Sequence, residues 1–175
     1  MKKKTIKLKE PSFIQSINIS KEWCQDWEDD LISDEVLADR VSELIKTKNG
    51  LRGFFAYSLS DLNCKLLDRL PSSLIFKLTE GGEEIIKITI KNFIMSTAQI
   101  INHQRDNKPD YEITSKNISE RCSNLLKVMD TNIVTKEINL IMSNIDDMSN
   151  SFDNSIKYDE EQKSFIKEEI EKIAQ

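Results

Sequence analysis

Glycine and proline are scarce in this sequence, which has only 4 Gly and 3 Pro among 175 residues, against a usual combined share of roughly 12%. Folds built on tight turns need more of both, because glycine supplies positive φ angles and proline fixes φ at turn corners. Hydrophobic residues make up 38% and charged residues 31% of the chain, as in a globular protein with a charged surface. The composition therefore predicts an all-α fold of long helices with short connections in a single domain.

Long apolar runs and closely spaced cysteines are also missing. No stretch approaches the roughly 20 apolar residues of a membrane span, and no apolar run follows the N-terminal lysines as a secretory signal would require. The three cysteines, Cys24, Cys64 and Cys122, are an odd number at wide spacing. We therefore expect no membrane span, a cytoplasmic location and reduced thiols.

The motifs of catalysis and cofactor binding are absent as well. None of the glycines forms a GxGxxG or GxxxxGK[ST] loop, which phosphate-binding sites require. A Ser/His/Asp triad would have to use His103, which is the only histidine. Zinc sites usually take their ligands in close pairs, and the three cysteines and His103 are not paired in this way. The sequence thus predicts no catalytic residue, no metal and no cofactor, and favours a protein that is not an enzyme.

Charge is distributed unevenly along the chain, whose net charge is −5. The first ten residues contain five lysines and one glutamate, whereas residues 20–43 contain nine acidic and two basic residues. An acidic body argues against nucleic acid as a partner, because phosphate binding needs clustered cations. We predict a basic N-terminal arm over residues 1–19 and a helical domain over residues 20–175, with a candidate internal boundary at 107–110.

Apolar residues at helical spacing predict six to eight helices. Ser20, Ser33 and Asp159 are the predicted N-caps of three of them, and Asn49–Gly50 is the predicted end of the helix that Ser33 begins. The densely apolar run 51–59 fits either a helix or a strand, and we favour a helix because no second strand is available to pair with it. Further helices are predicted at 61–70, 72–78, 115–130 and 132–148, and the last one follows Asp159.

The longest predicted helix is central to the fold. No glycine or proline interrupts residues 83–105. Alternating isoleucines at Ile86, Ile88 and Ile90 favour a strand locally, but the length of the segment favours a helix. The other helices are expected to pack around it.

Four neutral polar side chains fall on one line of this central helix, at Asn92, Ser96, Gln99 and His103. An exposed line in a sequence so rich in Lys and Glu would be expected to carry charges, so the neutral line indicates burial. These groups either bond to one another and to the protein interior, as buried polar groups must, or face a ligand or partner, or are simply exposed. As a hypothesis, Ser96→Leu would abolish binding and leave the fold intact if the line is a site.

Two smaller features are candidate binding elements. Arg52 lies beside Gly53 and two phenylalanines, an arrangement that could hold an anion or a carboxylate, although we favour buried packing with Arg52 at its rim. Trp23 and Trp27 lie one turn apart on a helix with an acidic back. That helix either docks on a partner or forms a lid on the protein's own core.

The segments 51–55, 91–98 and 103–105 resemble an uncharacterised family of small cyanobacterial proteins, with the resemblance covering residues 31–105. It implies a bacterial cytoplasmic setting and emphasises the central helix. The family has no assigned activity to transfer, and residues 106–175 lie outside the resemblance.

We therefore expect a non-catalytic binding or regulatory protein that acts through helical surfaces, with another protein as its partner. A homo-oligomer is compatible with the sequence. The alternative is a small-molecule-binding protein or an enzyme, with a pocket formed by Arg52, Asn92, Ser96, Gln99 and His103.

Overall fold

A computed structural model describes residues 10–143 and 157–173. All regular structure within these ranges is helical, which confirms the predicted all-α single domain. The described residues form nine helices, one more than the predicted range of six to eight, and the predicted helix 61–70 is reduced to the short helix Leu66–Arg69. They are α1 Phe13–Glu28, α2 Asp34–Leu44, α3 Lys48–Ser60, α4 Leu66–Arg69, α5 Ser72–Glu80, α6 Gly82–Arg105, α7 Pro109–Val128, α8 Thr131–Ser143 and α9 Glu160–Glu171.

The first helix begins earlier than the predicted cap at Ser20. Ser12 is its N-cap, and the side chains of Ser12 and Gln15 each bond to the backbone N–H of the other in a capping box. Ser20 lies inside the helix, where its hydroxyl donates to the Ser16 carbonyl at 2.8 Å. Residues 13–19 therefore belong to α1 rather than to the predicted arm, because a reciprocal capping box is a stronger start than a lone serine. The lysines of residues 1–9 lie outside the described residues.

The junction between α2 and α3 also differs from the prediction. Ser33 caps α2 as expected, but the helix already ends at Leu44. The hydroxyl of Thr47, the N-cap of α3, accepts a hydrogen bond from the Gly50 N–H at 3.0 Å. Gly50 therefore lies in the first turn of α3 and not at the end of α2. The helical interpretation of 51–59 is confirmed.

Helices α1 and α3 approach closely because Gly53 has no side chain. A Cβ atom at this position would lie 2.4 Å from the Cβ of Ser16 on α1. Ser16 and Ser20 are both buried, and their hydroxyls donate to the carbonyls of Ser12, the N-cap of α1, and of Ser16. Small residues on both helices thus allow α1 and α3 to approach closely.

The predicted central helix is confirmed as α6. It packs most extensively along α7, to which the buried hydroxyls of Thr97 and Ser119 join it at 3.0 Å. Gln104 bonds to Glu112 nearer the connecting turn, so the two helices run antiparallel. The predicted boundary at 107–110 coincides with this turn and the start of α7. The helices on its two sides, α6 and α7, share one interface.

The last helix is fastened to α6 by polar contacts. Asp159 and Gln162 form the predicted capping box, and the buried Gln162 amide also donates to the Ala98 carbonyl at 3.1 Å. Arg105 makes ion pairs with Asp159 and Glu161. Residues 144–148 of the predicted helix 132–148 lie outside the described residues. In the two described ranges, no helix combines the length and apolar character needed to cross a bilayer.

Candidate functional site

The four polar residues of the predicted line lie along α6 in different surroundings. Asn92 is half-buried, and its amide donates to the Ile88 carbonyl at 2.8 Å. Ser96 is buried, and its hydroxyl donates to the Phe93 carbonyl at 3.0 Å. Gln99 is exposed and accepts a 3.3 Å hydrogen bond from Asn102. These bonds all stay within α6, so the line is satisfied locally at these three positions.

His103 lies at the far end of α6, away from Asn92. Eleven residues of helix separate the two, or roughly 16 Å along the axis. The His103 ring lies beside the ring of Tyr111 on α7, with 5.6 Å between centroids. Its Nδ1 atom is buried without a hydrogen-bond partner in the described part of the chain. His103 therefore belongs to the α6–α7 interface near the turn.

Arg52 and Asn92 do come together, in a cavity of about 280 Å³ between α1, α3 and α6. The Arg52 guanidinium lies over the Phe13 ring, 5.1 Å from its centroid, and has no carboxylate at ion-pair distance among residues 10–143 and 157–173. None of Ser96, Gln99 and His103 lines the cavity. We call it the Arg52 groove, and its lining is Phe13, Arg52, Phe55, Ala56, Ile88, Lys91, Asn92 and Met95.

The two tryptophans are packed into the body of the protein. Trp27 is 8% exposed, and its indole N–H donates to the Asp34 carboxylate at 2.7 Å. The Arg69 guanidinium lies 5.4 Å from the Trp27 ring, and that of Arg40 lies 5.8 Å from the Trp23 ring. The tryptophan face of α1 therefore covers the protein's own core and contacts cations from α2 and α4.

A buried arginine that the sequence analysis did not single out organises the end of α3. Arg121 on α7 is 2% exposed and forms a two-pronged ion pair with Asp68 on α4, at 2.8 and 2.9 Å. Two of its other acceptors are carbonyls in the last turn of α3, which have no helical partner. A signal was available, because Arg121 falls three residues after Ile118 on the apolar face of α7. The carbonyl acceptors are those of Ser58, Leu59, Asp61 and Cys64.

The pKa values of this pair follow from its hydrogen bonds. Burial is the largest single influence and lowers the pKa of the Arg121 guanidinium, but the hydrogen bonds and charge of Asp68, together with the groups of Cys64 and Asp61, outweigh it and raise the pKa. The same bonds hold the pKa of the Asp68 carboxyl below its usual value, against the opposing effect of burial. Both groups are thus charged at neutral pH, and Arg121 stays ionised in the core because all of its donors are used.

Cys24 and Cys64 lie side by side although they are distant in sequence. Cys24 is on α1, Cys64 lies between α3 and α4, and both are almost fully buried as free thiols. The neighbouring Cys64 and burial together raise the pKa of the Cys24 thiol. Cys24, the Leu66 N–H and the Arg121 charge lower the pKa of Cys64, although burial opposes the change.

A pair of carboxyl groups joins the start of α6 to α8. Glu137 is 4% exposed, and its carboxyl and that of Glu83 influence each other's pKa. Burial and the Glu83 carboxyl raise the pKa of Glu137, whereas the contact with Lys87 at 2.9 Å lowers the pKa of Glu83. The pair therefore holds one proton more readily than two separate carboxylates would.

No three His, Cys, Asp or Glu side chains converge as metal ligands in the described part of the chain.

Comparison with known proteins gives a family but no activity. Neither a curated protein nor a solved structure matches the chain. A family model does match, over residues 12–173, and so extends well beyond the segment 31–105 on which the resemblance rested. The chain belongs to the family described as "Uncharacterised conserved protein UCP020893".

Proposed function

We propose that this chain is a non-catalytic binding protein of the cytoplasm and that the Arg52 groove receives an acidic segment of a partner protein. One observation carries the proposal: a guanidinium without a carboxylate partner in the described ranges lies at the edge of an apolar groove. A partner carboxylate would pair with Arg52 in the bidentate geometry that guanidinium favours. An apolar side chain next to that carboxylate would contact Phe55 and Met95.

The size of the groove favours side chains of a protein over a whole metabolite. Its volume of about 280 Å³ is below the range of roughly 300–1,000 Å³ that is usual for small-molecule pockets. The alternative function, a small-molecule or enzyme pocket that includes Ser96, Gln99 and His103, has less support, because none of the three lines the groove. The cyanobacterial setting and a homo-oligomer stay predictions.

The experiment is selection of a displayed peptide library on the full chain, followed by titration of the enriched peptides. We expect peptides with Asp or Glu beside an aliphatic or aromatic residue. Arg52→Met keeps the apolar stem and removes the charge, so it should weaken binding about tenfold or more, which corresponds to about 1.4 kcal/mol.

Arg40→Met is the matched control, because Arg40 also lies over an aromatic ring, that of Trp23, but outside the groove lining. It should bind the peptides as the wild type does. Equal affinity of Arg52→Met for the enriched peptides, or enrichment of peptides without acidic residues, would contradict the proposal. Loss of self-association in Arg52→Met, measured by light scattering, would identify a second copy as the occupant.

A further inference from the structure

A cavity larger than the Arg52 groove lies between α7 and α9, two helices that both pack on α6. Its volume is about 460 Å³, inside the range of roughly 300–1,000 Å³ that is usual for small-molecule sites. It shares no lining residue with the Arg52 groove, so an inference about it is independent of the proposed function. We call this cavity the α7–α9 trough, and we propose that it binds a small anionic amphiphile, namely a carboxylate that carries one unbranched apolar chain.

The floor of the trough is apolar and elongated. Phe93 and Ile100 on α6 line it and are buried, and the half-buried Phe165 on α9 lines it as well. Phe93 and Ile100 are seven residues apart on one helix, which is roughly 10 Å along the axis. An extended aliphatic chain such as that of octanoate covers this length and contacts both side chains.

Both walls run antiparallel to α6, which brings two lysines to the same end of the trough. Ser119 on α7 bonds to Thr97. The other wall, α9, begins beside the end of α6, and its Gln162 bonds to the carbonyl that follows Thr97. Lys127 and Lys172 follow these contacts by roughly 12 and 15 Å along their helices. Both lysines therefore lie at the end of the trough that is nearer the start of α6.

Lys127 is the cation available to a ligand at that end. It is exposed, lines the trough and has no carboxylate at ion-pair distance among residues 10–143 and 157–173. Lys172 beside it and Lys116 at the other end both pair with glutamates. Glu120 on the α7 wall is two turns, or roughly 10 Å, from Lys127. The carboxylate head therefore lies at Lys127, and its chain extends over the floor toward Ile100.

Two neutral donors next to Lys127 complete the site for the head. Ser123 and Asn124 lie within the preceding turn of α7 and line the trough. Neither side chain makes a hydrogen bond in the part of the chain that the structure describes. A hydroxyl and an amide both donate to a carboxylate, and a few polar groups in an apolar pocket fix the orientation of a ligand.

The test is isothermal titration calorimetry of the full chain with octanoate, compared with 1-octanol, which lacks the charge, and with acetate, which lacks the chain. We expect octanoate to bind, 1-octanol to bind several-fold more weakly, and acetate to show no measurable binding. Lys127→Met keeps the apolar stem and should weaken octanoate binding about fivefold, the most that an exposed ion pair usually contributes. Lys167→Met is the matched control, because it removes the same charge from α9 outside the lining of the trough. It should bind octanoate as the wild type does.

Two further variants and one spectrum locate the ligand. Ser123→Phe fills the trough from its α7 wall and should remove the binding, whereas Arg52→Met should leave it unchanged. In the wild type, octanoate should shift the amide NMR signals of residues 119–127 more than those of α1 and α3, which locates the site even if a variant fails to fold.

Absence of octanoate binding, or 1-octanol that binds as tightly as octanoate, would overturn the proposal. Equal affinity of Lys127→Met and Lys167→Met, or full binding by Ser123→Phe, would do the same. Loss of octanoate binding in Arg52→Met would place the ligand in the Arg52 groove and would also contradict the proposal.

Discussion

Arg121→Met tests whether one guanidinium holds three helices together. The substitution keeps much of the apolar stem of Arg121, which is 2% exposed, and removes all five N–H donors. Asp68 on α4 loses its two-pronged partner, and the carbonyls of Ser58 and Leu59 at the end of α3 lose theirs. The methionine cannot replace any of these bonds, because its thioether donates no hydrogen.

The expected loss in the free energy of unfolding is about 3–5 kcal/mol, the usual cost of breaking a buried ion pair on one side. A domain of this size has about 5–15 kcal/mol in total, so the variant should keep its fold with little margin. At roughly 2–4 °C per kcal/mol, the melting temperature should fall by about 6–20 °C. Part of the cost is relieved because Asp68 has a side-chain exposure of 38% and can be rehydrated.

Urea unfolding followed by tryptophan fluorescence and circular dichroism measures this loss. Arg105→Met is the matched control, because Arg105 also pairs with two carboxylates but its side chain is 43% exposed. Exposed pairs contribute about 0–1 kcal/mol, so the control should unfold near the wild-type midpoint. If Arg121→Met loses no more stability than Arg105→Met, the inferred role of the buried guanidinium is wrong.

When the same urea experiment is repeated at acid pH, the difference in stability between the wild type and Arg121→Met should change in a defined direction. Arg121 lowers the pKa of Asp68 below the usual 3.8. The stabilising effect of the Arg121–Asp68 pair is therefore complete above pH 3.8. It is lost as the pH falls through the lower pKa that Asp68 has in the folded state. The difference in stability between the wild type and Arg121→Met should shrink in that acid range. A difference that stays constant down to pH 2 would mean that Asp68 is not the acceptor that matters.

Three further changes test other contacts. Gly53→Ala should lower the free energy of unfolding in urea by about 1–2 kcal/mol. A Cβ only 2.4 Å from that of Ser16 puts the overpacking cost in the upper part of the usual range of about 1–3 kcal/mol, and the better helix propensity of alanine returns about 1 kcal/mol; an unchanged midpoint would contradict this. Glu137→Gln should raise the melting temperature at pH 7–8, because the raised pKa of Glu137 means that the wild type loses stability as pH rises above the ordinary value of 4.5. That gain should vanish below pH 4.5, and a gain independent of pH would refute it. Ser96→Leu, at a 6% exposed position, should lower the free energy of unfolding by about 1–3 kcal/mol through overpacking. An unchanged urea midpoint would instead support the hypothesis that this substitution leaves the fold intact.

Local sequence signals were enough to predict the main helices. The absence of glycine and proline over 83–105 indicated α6, and Asp159 with Gln162 indicated the start of α9, because both depend on residues within one or two turns. The start of α1 was misplaced at Ser20 because the prediction relied on the same kind of short-range signal. A buried serine that bonds to its own helix looks in the sequence like an N-cap.

The candidate site was only partly predictable, because it depends on contacts between distant helices. Arg52 and Asn92 were both singled out and do line one groove. His103 shares the face of Asn92, but the rise of the helix carries it to the α7 turn. The contact between Cys24 and Cys64 had no sequence signal at all, since nothing local indicates which distant thiols a fold brings together.

The docking of α9 has a practical consequence for engineering. Gln162 donates to the Ala98 carbonyl. Because this acceptor belongs to the backbone, a substitution at position 98 preserves it unless the substitution distorts α6. Together with Arg105 and Asp159, this hydrogen bond anchors the first turn of α9 on α6. Gln162→Ala would remove the hydrogen bond from the α9 side, so the docking of α9 should depend on Gln162 rather than on the side chain of residue 98.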